Sequence, residues 1–424
     1  MKPASDKFSK PIVDFLTTTQ LMNTNFLPNI KSPLTEIAMD FLMPFAKHVA
    51  GINTISIDSD TRTALSEQLK SPALIVANHP TDMDPILVRT LGSSVGLRFN
   101  YLACREGFDN LRGAWGWAAQ RIGAFSIVRG AVDRESFRHT INLWVNDDAH
   151  IVVFPEGEVG AFNDKLLPFH DGIFQLLLLA SEKRVAAGKN PIGIVPLGLR
   201  YTLTSDHRSA LLQASIALCS ATGATCSDDL IVNLRSLAFI VISRLELEYG
   251  LSSKQELTTQ ERIGRLQTAV LQRIHAATGR SIPEHGDLHD LMRISANIIE
   301  DAIDIHSPPE TIFDQRLAQQ RRQRALALQA DIDRLQNWLA IEDGYATSDG
   351  NQDHVYELIR HFEIEVFGQV RTRLKRNATI KVGPRIDISG IDGFDALPRR
   401  KQIQTLRQMS VESVATCLAL SLPG

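Results

Sequence analysis

The chain is short of cysteine. It has four, Cys104, Cys219, Cys226 and Cys417, and no Cys-x-x-Cys pair among them. Neither a zinc ribbon nor a disulfide framework is indicated, and an intracellular, reducing compartment fits best. It also lacks a long apolar run, since none reaches the ~20 residues that a bilayer span needs. The nearest, Leu237 to Ile242, is flanked by Arg235 and Arg244. Met1 to Gln20 lacks the apolar segment of a signal peptide. These absences exclude a membrane-spanning protein and leave open one that lies on a lipid surface. A formal net charge of -3 gives no global nucleic-acid signal, so any anion site must be local. There is no fixed-period repeat and no Gly-x-Ser-x-Gly elbow of a serine hydrolase.

What is present is an ordinary folded-protein composition, 44% hydrophobic and 22% charged, over 424 residues. That length suits two or three domains, or one large core with an insertion. Residues 1–70 read as mainly helical. Met39, Phe41, Leu42, Phe45, Ala46 and Val49 form an apolar stripe there that suits either a core contact or a membrane contact. From residue 73 onward strands and helices alternate, which argues for an α/β sheet. Expected strands are Leu74 to Ala77, Phe99 to Cys104, Gly123 to Gly130, Ile151 to Phe154 and Ile194 to Leu199. Expected helices are Asp84 to about Gly92, Asn110 to Arg121, Arg134 to Val145 and Gly172 to Ala187. From about 205 to 376 the pattern is helical. It includes a capping box at Thr258-Thr259-Gln260-Glu261 and a long polar helix over roughly 310–340. Thr379 to Ile388 returns to strand-like alternation before a last helix over about 400–420. The expected organisation is an N-terminal helical segment (1–70), an α/β core (71–204), an all-helical insertion (205–376), and the core's final strand and helix (377–424).

The chemistry concentrates at Ala77-Asn78-His79-Pro80-Thr81-Asp82-Met83-Asp84-Pro85. Pro80 ends the strand, and Asp84-Pro85 reads as the start of a helix, with Asp84 as its cap. Open α/β sheets place their sites at such edges. An aspartate five positions after a histidine can fix the imidazole tautomer and leave the other ring nitrogen to take a proton from a hydroxyl. This is the lower half of a Ser-His-Asp triad, with the substrate supplying the alcohol. The plainer reading leaves Asp84 a helix cap and His79 a turn residue.

Four strand tips fall in order. They are Asn78-His79-x4-Asp84, Gly123-x-Phe125-x-Ile127-x-Arg129, Phe154-Pro155-Glu156-Gly157 and Val195-Pro196-Leu197-Gly198-Leu199-Arg200-Tyr201. This set resembles the glycerolipid acyltransferase family, which includes the lysophosphatidate and glycerol-phosphate acyltransferases. The resemblance covers roughly residues 70–204, and the strand around Lys381 to Asp387 resembles the short one near the end of that domain. It looks like a long variant, and the core family does not explain the helical insertion. The resemblance implies a mixed, mostly parallel sheet flanked by helices. It implies His79 as general base held by Asp84, and Arg129 on the acceptor's phosphate with Arg105 as a further candidate. Gly123, Phe125, Phe154, Pro155, Glu156 and Gly157 would belong to the substrate-binding motifs, and Pro196 would help shape the pocket. It implies no cofactor and no metal, with acyl-CoA or acyl carrier protein as co-substrate. The acceptor would be a lysolipid such as 1-acylglycerol-3-phosphate, in phospholipid biosynthesis. The location would be cytoplasmic and peripheral to a membrane, with no nucleic acid as partner. A thioester donor needs no covalent enzyme intermediate when a hydroxyl is held in line and deprotonated as it attacks.

One departure stands out. The family's third motif usually continues with threonine, arginine and serine, whereas this chain has Glu158-Val159-Gly160, with no cation where one is expected. Two other classes of function therefore stay in view. One is a lipid or phosphate ester hydrolase in which His79, Asp82, Asp84 and Glu156 gather a metal. The other is a non-catalytic lipid-binding protein on the same fold. His285 and His289 sit at helical ligand spacing but lack a third partner. The basic clusters at 321–324, 371–376 and 399–401 read as solvated faces or as contacts for anionic lipid.

Overall fold

The computed structural model describes residues 26–30, 32–128, 133–157, 159–160, 163–252, 254, 256–278, 291, 295, 298–299, 311–341 and 351–421. Its centre is a seven-stranded sheet. The strands are β1 (Ile52–Ser56), β2 (Ala73–Ala77), β3 (Asn100–Cys104), β4 (Ala124–Ile127), β5 (His150–Val153), β6 (Gly193–Leu203) and β7 (Arg376–Val382). Their spatial order is β1-β7-β6-β2-β5-β3-β4. β6, β2, β5, β3 and β4 run parallel, while β7 runs antiparallel to β6 and parallel to β1. This is the mostly parallel α/β arrangement that the alternating pattern predicts.

All five residues of β2 are buried, as a strand covered on both faces requires. One face carries α2 (Ser59–Gln68), α3 (Asp84–Ser94) and α4 (Ala114–Arg121), which pack Leu65, Leu87, Val88, Leu91 and Ala119 onto the sheet. The other carries α5 (Arg134–Asn146), α6 (Gly172–Ala186) and the C-terminal helix Arg399–Ala419, with Trp144, Phe174, Leu177, Leu406 and Val414 buried there. Each such fully buried large side chain contributes roughly 1.5–3 kcal/mol.

Between β6 and β7 the described chain is helical. It forms α7 (Arg208–Thr222), α8 (Leu230–Glu248), α9 (Thr259–Thr278), α10 (Ile312–Ile341) and α11 (Gln352–Phe367). The C-terminal helix Arg399–Ala419 is then α12. The helical region has its own apolar cluster, including Leu234, Leu237, Leu266, Ile332 and Phe362. The capping box forms as the sequence predicts, with Glu261 N–H donating to Thr258 Oγ1 (3.2 Å) and Thr258 N–H donating to Glu261 Oε2 (2.8 Å). α11 is fastened to the sheet at its first turn, where Leu203 N–H donates to Asp353 Oδ1 (2.7 Å) and His207 N–H to Gln352 Oε1 (2.8 Å).

The N-terminal helix α1 (Pro33–Val49) has no buried residue. Arg89–Asp40 (2.8 Å), Arg98–Glu36 (2.9 Å) and Arg98–Asp40 (2.6 Å) tie its polar side to α3 and the turn after it. Most of its apolar stripe faces outward, with Phe41 82% and Phe45 69% exposed and Met39 and Ala46 half-buried, so among the described residues the stripe is not a core contact.

Local expectations need three corrections. Asp84 is not a cap: the residue before the helix is Met83, which makes no side-chain capping bond, and Asp84 opens the helix with its carboxylate turned elsewhere. Gly92 does not end α3. It lies buried inside the helix because an added Cβ would meet the Phe99 ring at 2.8 Å, and Gly96, at φ +72°, follows the end instead. The first third of the expected helix over Asn110 to Arg121 belongs to a 3-10 segment, Arg105–Gly113, and only Ala114–Arg121 is α-helical. His285 and His289 lie outside the described residues.

Candidate active site

The parallel strands deliver their C-terminal ends to one edge of the sheet, and the sequence places His79, Arg105 and the Phe154-Pro155-Glu156-Gly157 turn just past three of them. Asn78 locks the tip of β2. Its side-chain amide donates to Leu199 O and accepts from Leu199 N, both at 2.8 Å, so it continues the strand pairing by side chain where the backbone turns away. The chain then doubles back through Thr81 to Asp84, and the His79 ring returns over the start of α3.

His79 Nδ1 and Asp84 Oδ2 lie 2.7 Å apart. The Asp84 carboxylate is fully buried and surrounded by donors. Oδ2 also accepts from Thr81 N–H (2.9 Å), and Oδ1 accepts from Thr81 Oγ1 (3.0 Å) and from the Tyr201 hydroxyl (2.6 Å). Burial of an ionised carboxylate is tolerated only with such a set of partners. With Nδ1 committed to Asp84, Nε2 is the ring nitrogen available to a substrate. The side chain is 17% exposed, enough to be reached. Phe154 stacks on the imidazole, ring centroids 4.2 Å apart and planes 20° apart, which fixes the ring's plane.

Glu156 acts on the same histidine from behind. It is buried, and its Oε1 accepts from the His79 backbone N–H (3.1 Å) while Oε2 accepts from Leu167 N–H (3.3 Å). Burial pushes its carboxyl up to about 8, against the lowering effect of those two backbone donors. Burial therefore favours the neutral form, and the bond to His79 N–H makes Glu156 a brace for the His79 main chain. Gly157, at φ +76°, closes the turn through its N–H to Phe154 O (3.0 Å), and a Cβ there would meet His170 Nε2 at 2.6 Å. Pro155 is buried and its carbonyl accepts from His170 N–H (2.8 Å).

The other sequence-predicted residues separate from this cluster. Gly123 precedes β4 and so lies at the opposite edge of the sheet. Its φ of +99° and a Phe99 carbonyl 2.4 Å from any added Cβ give it a structural reason to be glycine. Phe125 is fully buried in the core, edge-on to His139. Pro196 is paired opposite Val76 inside the sheet and packs on Gly383 beneath α12, on the face opposite Leu197 and Tyr201. Arg105 is buried and ion-paired through Nη1 with Asp109 at 3.0 Å. Arg129 and Glu158 lie outside the described residues, and Val159 is 39% exposed. The metal alternative fares poorly on geometry. Asp84 and Glu156 are turned to protein donors, Asp82 is exposed, and no group of three or more His, Cys, Asp or Glu side chains among the described residues could hold a metal ion. Of the basic clusters, Arg371 stacks over Phe367 (3.4 Å) and Arg376 over Tyr201 (4.6 Å), so that cluster is not simply a solvated face.

Residues 56–200 match the acyltransferase family model. The matched segment runs from the end of β1 into β6. It contains His79, Asp84, Phe154 and Glu156, and leaves α7 to α12 and β7 outside it. The match supports an enzyme of acyl transfer to glycerolipid-type substrates as the class of chemistry. No curated protein matches the chain.

Sequence reasoning missed Thr81 and Tyr201, which supply three of the four contacts on Asp84 described above. The signal for Tyr201 was present in the strand period. Val195, Leu197, Leu199 and Tyr201 alternate onto one face, the face on which α3 packs.

Proposed function

We propose that this protein moves a fatty acyl group from an acyl thioester, on coenzyme A or acyl carrier protein, to a hydroxyl of a lysophospholipid. The observation that carries the reading is the His79 Nδ1–Asp84 Oδ2 contact of 2.7 Å at a strand tip, inside the segment that matches the family model. Nε2 takes the acceptor's hydroxyl proton as the oxygen attacks the thioester carbonyl, and Asp84 stabilises the imidazolium that forms. The thiol leaves with the proton returned from His79. Arg129 meets the acceptor's phosphate. 1-Acylglycerol-3-phosphate is the leading acceptor, although Val159 stands where a second cation is expected.

The enzyme works peripherally on a cytoplasmic lipid surface. The outward stripe of α1 supports this, together with exposed Trp115 and Trp117 on α4 beside Arg121, whose guanidinium lies 4.1 Å from the Trp117 ring centroid. Amphipathic aromatics and arginine suit the boundary between headgroups and chains. No helix among the described residues is long and apolar enough to cross a membrane.

The test is mass spectrometry of lipids after incubating the protein with mixed acyl donors and lysolipid-bearing vesicles. Donor-dependent acylated product that disappears with His79→Ala supports the reading. No product from any donor sinks it in favour of a non-catalytic lipid binder, and chelator-sensitive hydrolysis would replace it with the hydrolase.

A further inference from the structure

Tyr201 is fully buried near the end of β6, and its hydroxyl makes two hydrogen bonds. It donates to Asp84 Oδ1 at 2.6 Å and lies 3.0 Å from Thr81 Oγ1, whose one proton it shares with Asp84 Oδ1. The same residue's backbone is clamped on both sides by one side chain. Tyr201 N–H donates to Asn163 Oδ1 (2.7 Å), and the Asn163 amide donates to Tyr201 O. Asn163 N–H in turn donates to Glu357 Oε2 (3.3 Å) on α11. Above the ring, Arg376 of β7 lies 4.6 Å from the Tyr201 centroid and 6.0 Å from that of Tyr356, also on α11. The path from the helical region to His79 is therefore continuous. It runs from Glu357 to Asn163, to the Tyr201 backbone, to the Tyr201 hydroxyl, to Asp84, and so to the imidazole.

The chemistry needs such a path. Asp84 can fix the His79 tautomer only if Oδ2 stays aimed at Nδ1, and a carboxylate turns about its last torsion unless both oxygens are held. Thr81 holds it from within the same turn, three residues away. Tyr201 holds it from the sheet. A buried phenol with its hydroxyl on a buried carboxylate is also costly to leave half-paired, so the arrangement favours a single geometry.

We propose that Tyr201 is a positioning residue for the His79–Asp84 pair, and that the helical region, through Glu357 and Asn163, braces the pair by fixing Tyr201. This rests on the acyl-transfer reading only for its rate measurement, since the placement of the imidazole proton can be read without turnover.

The experiment compares wild type, His79→Ala, Tyr201→Phe and Glu357→Gln as full-length proteins, in acyl-transfer kinetics and in the downfield proton NMR spectrum. The Nδ1 proton of His79 is assigned as the resonance lost in His79→Ala. Tyr201→Phe keeps the ring and removes the hydroxyl. The expected result is a ~10- to 100-fold fall in kcat, the range for one hydrogen bond to a charged group, with KM for the acceptor unchanged and the Nδ1 resonance shifted or broadened. Glu357→Gln should give a smaller loss of the same kind. An unchanged resonance in Tyr201→Phe overturns the proposal whatever the rate does, as does a change confined to KM. If His79→Ala itself retains wild-type turnover, the acyl-transfer reading fails while the NMR comparison still decides the positioning role.

Discussion

Asp84 and Glu246 are both completely buried carboxylates, one at the sheet edge and one in the helical region, and their surroundings differ in kind. Glu246 is held by two arginines. Arg262 reaches it through Nη2 (2.8 Å) and Nε (3.2 Å), and Arg265 approaches at 3.4 Å. Its charge is matched by fixed cations that never titrate. Asp84 meets no arginine among the described residues. Its partners are a hydroxyl pair, one backbone N–H and an imidazole that can gain and lose a proton. The first arrangement ties α8 to α9 and can do nothing else. The second leaves the charge of its main partner variable, which is what a general base requires. Burial alone does not mark a working carboxylate; the chemistry of its partners does.

Substitution should separate the two most sharply at the sheet edge. Asp84→Asn presents an amide where the ring N–H needs an acceptor, so the wrong tautomer is favoured, and a loss of ~10⁴-fold in kcat is expected by analogy with other His-Asp pairs. His79→Ala should be at least as severe and should leave the protein folded, because a partly exposed strand-tip ring contributes little core area, while Asp84→Asn keeps the side-chain volume. Steady-state rates alongside urea melts check this. Near-normal turnover in folded Asp84→Asn would erase the distinction drawn with Glu246.

Glu246→Ala should do the reverse. Removing one partner of a buried pair leaves Arg262, only 4% exposed, without its counterion, at a cost of ~3–5 kcal/mol. The urea midpoint should fall accordingly, while the folded fraction keeps its kcat, because nothing in the Glu246 cluster touches His79, Asp84 or Tyr201. A selective loss of kcat at unchanged stability would mean that the two regions are coupled through Glu246 and not only through Glu357 and Asn163.

The two carboxylates also differ in how far the sequence revealed them. The α/β alternation, the capping box at Thr258 and the His79–Asp84 spacing were legible because each is local or periodic. The spacing gave the right partners but the wrong local role, since Asp84 opens α3 without capping it. Its remaining donor, Tyr201, comes from 117 residues away, and no local pattern states such a contact. Glu246 was not singled out, because a helix face carrying charge looks the same in sequence whether it is solvated or buried against a later helix. Glycines misled for a related reason. Gly123 sits in a motif, yet its requirement comes from the Phe99 carbonyl at the far edge of the sheet.

Glu156 sharpens the comparison as an intermediate case, buried beside the site with neither a cation nor a catalytic partner. Its carboxyl is raised from 4.5 to about 8, chiefly by burial. The sign follows from proton linkage. The folded protein holds this proton more tightly than the unfolded chain, so the stability it confers is fully present below pH ~4.5. It falls as pH rises toward ~8, by at most ~1.4 kcal/mol per pH unit, and levels off above that. Glu156→Gln cannot ionise. Its amide oxygen can still accept from His79 N–H, but its NH2 group would face the Leu167 N–H that Oε2 now satisfies. The variant should therefore be less stable than wild type in acid, and the gap should close or reverse as pH rises toward 8. Urea midpoints at pH 5, 6, 7 and 8 measure both curves. Parallel curves would show that Glu156 is ionised at neutral pH and braces His79 as a charged group. Converging curves would leave it a neutral brace, set apart from both carboxylates by having no partner that can balance a charge.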